Sequence, residues 1–145
     1  MKRSILVLLL ITLTLLMSTG CSQSCSPAQA KAAYDELSDI EQSITLSWEI
    51  TLQGAPNPDD NPEYLSRTAI SNRMFLRLAE EAHVPSCASN AKDSLIAYIE
   101  QILAVNDSLA QGTDPDDLAS EFAAIEDLRG EYLDHLAELS AYLDN

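Results

Sequence analysis

DPDDLASEFAAIEDLRGEYLDHLAELSAYL, residues 114–143, decides the fold. Leu118, Phe122, Ile125, Leu128, Tyr132, Leu136, Leu139 and Leu143 recur at steps of three or four. They lie on one face of a helix and make the most regular seven-residue pattern in the chain. Asp114-Pro115-Asp116-Asp117 opens that helix with acids on its first turn, where the helix dipole favours negative charge. A helix with one apolar stripe must bury it against other elements, so the question is what stands upstream.

Three more helical segments precede it. The nearest carries Leu95, Ile96, Ile99, Ile102, Leu103 and Leu109 as its stripe, starts between Ser86 and Asn90, and is closed by Gly112. Before it, Asn61-Pro62 opens a helix by cap and Pro. Leu65, Ala69, Met74, Phe75, Leu76, Leu78, Ala79 and Ala82 are expected inward, and the helix runs out at His83, ahead of Val84-Pro85. The first segment begins at Ser26-Pro27-Ala28-Gln29, a Ser cap with Pro at the first helical position and Gln placed to close a capping box. Ala30, Ala33, Tyr34, Leu37, Ile40, Ile44, Trp48 and Thr51 follow on one face. Gly54 to Pro62, with Pro56 and Pro58, is the clearest loop. No segment alternates as a strand does. Helices over 27–53, 62–83, 87–111 and 115–143, with short joints, predict an all-α, antiparallel up-down-up-down four-helix bundle occupying 27–145.

The chain begins differently. Lys2 and Arg3 precede an apolar run from Ile5 to Met17, and Ser18-Thr19-Gly20-Cys21 follows. That is the layout of a secretory signal, and the run stops short of the roughly 20 apolar residues a spanning helix needs. Gly20-Cys21 resembles the lipobox of bacterial lipoproteins, with Ser18 standing where that family usually has Leu. The resemblance covers residues 1–21 alone. It implies that residues 1–20 are a cleaved signal peptide, that Cys21 is the acylated mature N-terminus, and that 21–26 tether the bundle. It further implies a membrane-anchored protein of the bacterial cell envelope, facing the periplasm or the extracytoplasmic side. Several acyl chains give stable anchoring where one gives marginal binding.

The mature 125 residues suit one core. Six basic residues then face 23 acidic ones, a formal charge of −17, which disfavours nucleic acid as a partner. With Cys21 given to lipid, Cys25 and Cys87 remain as an even pair in an oxidising compartment, and a disulfide is expected between them. The bundle topology agrees, since both stand at helix starts on the same end.

Counting outward from the connections also sets Glu41, Asn72 or Arg73, Tyr98 and Arg129 at about one height. Arg129 interrupts the seam of the last helix. Either it pairs with Glu41 across the bundle in a buried polar layer that fixes register, or it snorkels to solvent.

Catalytic and metal-binding patterns are thin. Only Glu80-x-x-His83 has the spacing used by di-iron bundles, and His135 has Glu131 four residues before it. There is no haem-attachment motif, no Gly-x-Ser-x-Gly elbow, no phosphate loop and no nucleophile visibly partnered with either histidine. Asp114-Pro115-Asp116-Asp117 lacks the glycine and distal Glu of a calcium loop. The expectation is therefore no enzyme, no cofactor and no metal site. Residues 114–145 hold ten acids against Arg129, a solvated face or a meeting place for cations or a basic partner. The second helix is neutral, with Arg67, Arg73 and Arg77 against Glu63, Glu80 and Glu81. Ile70 and Met74 beside Leu78 suggest an exposed patch or a dimer face there.

The reading that results is a lipid-anchored, non-enzymatic helical module that binds an envelope protein or serves as a spacer. The competing reading is a bundle binding metal or a small ligand through the acidic face or the Arg129 layer.

Overall fold

The computed structural model describes residues 25–54 and 62–143. Residues 1–24, with the expected signal and Cys21, lie outside the described residues, as do 55–61 of the Gly54–Pro62 loop and 144–145. All regular structure among the described residues is helical: α1 (Pro27–Gly54), α2 (Pro62–Glu81), α3 (Ser89–Ala110) and α4 (Ala119–Ser140). Single 3₁₀ turns, Ser86–Ala88 and Pro115–Leu118, lead into α3 and α4.

Helix ends follow local chemistry. The Ser26 hydroxyl accepts from the Gln29 N–H at 3.2 Å while Gln29 Oε1 accepts from the Ser26 N–H at 3.1 Å, closing a capping box. Past α3, the Gly112 N–H donates to the Leu109 carbonyl and the Thr113 N–H to that of Ser108. This is a Schellman arrangement, and it needs the positive φ of +84° that Gly112 supplies without a Cβ clash. α2 stops at Glu81, two residues before the expected His83. There Lys92 Nζ donates to the carbonyls of Glu80 (2.7 Å) and Ala82 (2.9 Å), satisfying groups that the helix leaves open. The starts of the third and fourth segments are 3₁₀ rather than α because Ser86 and Pro115 open tight turns at each entry.

The other three helices pack around α3. It has four charged residues in 22, against seven in α4 of equal length, and a correspondingly wide buried face. Leu95, Tyr98, Ile99, Ile102, Val105 and Leu109 on it are almost wholly buried. α3 contacts each of the other helices; α2 and α4 scarcely meet. The core fills with Leu37, Ile44 and Trp48 of α1, Leu65 and Ala79 of α2, and Ile125, Tyr132 and Leu139 of α4. Trp48 and Phe122 stack with centroids 6.0 Å apart, joining α1 to α4.

One expectation about the core is corrected. Met74 and Leu78, expected inward on α2, are 55% and 45% exposed. The buried stripe of α2 is Leu65, Ala69, Asn72 and Ala79, continued by Ala82 just past its end. Its width is limited because, among the described residues, α2 packs chiefly against α1 and α3.

Candidate functional site

The end of the bundle nearest the N-terminus is held by a disulfide. Cys25, just before α1, is bonded to Cys87, in the turn before α3, with Cα atoms 5.8 Å apart. Each helix start is shaped by its own cap or turn, and the bridge joins them.

Further along, a polar cluster crosses the core. Glu41 Oε1 accepts from Arg129 Nε at 3.0 Å and from the Thr45 hydroxyl at 3.0 Å. The Thr45 oxygen lies 3.1 Å from the Tyr98 hydroxyl. Because the single Thr45 proton is committed to Glu41, Tyr98 donates to Thr45, and the hydroxyls form a chain ending on the carboxylate. The Glu41 side chain is 8% exposed and that of Arg129 36%, so the carboxylate is inside and the guanidinium lies at the seam edge. Burial works against the charged guanidinium, yet the hydrogen bond and charge of Glu41 prevail and raise its pKa above the ordinary value.

Asn72 and Arg73 do not join this layer. Asn72 Oδ1 accepts from the Ser47 hydroxyl at 2.7 Å, and Arg73 pairs with Asp107 of α3 at 2.9 Å. Counting mirror points assumes a square cross-section. With α3 in the centre, α2 is pushed away from α4 and reaches neither Glu41 nor Arg129. Thr45, one turn after Glu41 and thus on the same face, is the member that counting missed.

Tyr132 lies beside this cluster, fully buried, and its hydroxyl finds no hydrogen-bond partner among the described residues. Burial pushes both Tyr132 and Tyr98 above the ordinary tyrosine value of 10.0, with the nearby Glu41 charge adding to the shift. A phenol whose pKa is raised by folding contributes stability that is complete below the unfolded value and is lost as pH climbs through the folded one. Above pH 10, unfolding should therefore be driven by these two of the five tyrosines. In an absorbance titration at 295 nm, Tyr98 and Tyr132 should ionise together with the loss of helical circular dichroism.

A second polar contact joins α3 to α4. His135 Nδ1 stands 2.6 Å from the Ser94 hydroxyl, which corrects the expectation that neither histidine has a nucleophile beside it. The two are 41 residues apart, so no local spacing announces them. Ser94 also donates to the Asn90 carbonyl at 2.6 Å. The Ser94–His135 contact clasps α3 to α4. Asp93, Glu131 and Ala97 complete an open recess of about 360 Å³ around it. Among the described residues, no three His, Cys, Asp or Glu side chains gather where they could hold a metal ion. His83, exposed past the end of α2, makes no such group with Glu80.

The outer face of α2 is of another kind. Ile70, Met74 and Leu78 are 63%, 55% and 45% exposed and follow at steps of four. Arg73, Arg77 and Glu81 border them around an open recess of about 430 Å³. Large apolar side chains massed on one outward helix face mark an interaction surface more often than scattered ones do. No described helix is long and apolar enough to cross a membrane. The chain matches no protein-family model, no curated protein and no solved structure.

Proposed function

We propose that this chain is a lipid-anchored, non-enzymatic module of the bacterial cell envelope that binds another polypeptide through the outer face of α2. The observation that carries the binding role is the apolar row Ile70, Met74 and Leu78, set among arginines on a chain whose formal charge is −15. The anchor rests on Lys2-Arg3, the apolar run and Gly20-Cys21.

The helices run antiparallel, up-down-up-down. Supporting this order, Ser47 and Ile50 of α1 meet Asn72 and Tyr64 of α2 in reverse sequence. Arg73 and Lys92 link α2 to α3 in the same reversed sense, as do Glu41–Arg129 and Trp48–Phe122 between α1 and α4. Cys25–Cys87 and Thr45–Tyr98 give α1 and α3 a common direction. The bridged end then lies against the bilayer. Four residue steps from Cys21 to Cys25 span at most about 14 Å, so an acylated Cys21 holds the starts of α1 and α3 close to the headgroups.

Intact-mass spectrometry of the membrane-extracted protein tests the anchor. The expected mass is that of residues 21–145 plus acyl groups, less two hydrogen atoms for the Cys25–Cys87 bridge. A mass that retains Met1, or a soluble chain with unmodified Cys21, overturns it.

A further inference from the structure

We infer that the polypeptide docking on the outer face of α2 is a second copy of this chain, bound antiparallel about a two-fold axis at Met74. The inference deepens the binding role proposed above and is independent of the lipid anchor.

Charge is the first reason. Three helices repel a copy of themselves: formal charges from their sequences are −4 for α1, −2 for α3 and −5 for α4. α2 alone is neutral, with Arg67, Arg73 and Arg77 against Glu63, Glu80 and Glu81. Its outward face is apolar as well, whereas α1, which exposes Leu46, Ile50 and Leu52, carries the charge of −4. Self-association of an acidic protein is least opposed where the local charge vanishes.

Register is the second. An isologous interface must be self-complementary, each residue i meeting a residue j that meets i in return. Ile70 and Leu78 stand four residues before and after Met74, and Arg67 and Glu81 stand seven before and after it. Reversing the helix about Met74 therefore sets Ile70 against Leu78 of the copy, Met74 against Met74, and Arg67 against Glu81. Positions 67, 70, 74, 78 and 81 follow steps of three and four, the spacing of one helical seam. Both ends of the seam then close with opposite charges. In the single chain, Arg67 and Glu81 pair with exposed partners on the same helix, Glu63 at 2.6 Å and Arg77 at 3.2 Å, and such pairs exchange at little cost.

The arrangement sets a crosslinking pattern that no other docking mode shares. The full-length chain, extracted in mild detergent, carries single cysteines at the seam, with the parent chain as control for Cys21. Met74→Cys is expected to form a disulfide-linked dimer on mild oxidation. Ile70→Cys and Leu78→Cys, whose like positions are about 12 Å apart along the axis, should not link alone but should link when the two variants are mixed. Arg67→Glu should weaken association roughly tenfold in sedimentation, since two attractive contacts become repulsive, and adding Glu81→Arg should restore it. Links at all three positions would mean parallel pairing and overturn the inference. So would monomers at every concentration that is measured, or capture of Met74→Cys by an unrelated protein; the last would leave the binding role standing while removing the second copy. Failure of the anchor alone would leave the whole crosslinking pattern intact.

Discussion

Arg129→Ala should lower the free energy of unfolding by about 2–4 kcal/mol, read as a fall in the urea midpoint at unchanged slope. Removing one partner of a buried ion pair strands the other, and Glu41 is the stranded group, its side chain 8% exposed. The figure sits below the roughly 3–5 kcal/mol of fully buried pairs because the Arg129 side chain is 36% exposed and solvent already screens it. Thr45 and Tyr98 alone cannot balance a full negative charge. Replacing both partners, Glu41→Leu with Arg129→Leu, should recover most of that loss or exceed the parent, since apolar groups of similar volume need no compensation. The double variant also separates stability from specificity. If it is stable but shows broadened, poorly dispersed side-chain NMR signals, the pair fixes helix register. If Arg129→Leu alone is more stable than the parent and as well ordered, the register role is wrong.

Breaking the Cys25–Cys87 bridge should have an effect of similar size by another route. The bond closes a loop with a sequence separation of 62. By the chain-entropy estimate, a loop of that length restricts the unfolded chain by about 4 kcal/mol. Cys25→Ala with Cys87→Ala is expected to cost about 3–4 kcal/mol in guanidinium unfolding. Comparing the variant with the parent chain under reducing agent distinguishes the covalent constraint from the lost side-chain packing. Equal losses in the two experiments point to the constraint. A variant as stable as the oxidised parent would show that the bridge adds nothing.

What could be read from the chain alone follows the range of each interaction. The capping box at Ser26 and Gln29 and the glycine stop at Gly112 depend on neighbours within a few residues, and sequence shows these directly. Four amphipathic stripes are legible for the same reason, because helical period is local. The cell of contacts around Glu41 is partly legible, since a charged residue in an apolar seam such as Arg129 needs a partner. Its third member, Thr45, is visible only once the side of α1 facing Tyr98 is known. Ser94 with His135, and Ser47 with Asn72, join helices through contacts that no spacing announces. The exposure of Met74 and Leu78 is only half legible, since the sequence sets both in the inward stripe and also in a patch beside Ile70. Apolarity tells a helix to seek cover, but which part of its circumference is covered depends on where its neighbours stand, and the central position of α3 is a property of the whole assembly.

That central position bears on how the protein breathes. α2 and α4 each lean on α3 and scarcely on one another, so either could swing out while the remaining three helices keep a shared interior. Amide protons in the middle of α3, around Ile99 and Ile102, should be the last to exchange with deuterium, at rates set by global unfolding. Those of α2 should exchange earlier through a partial opening.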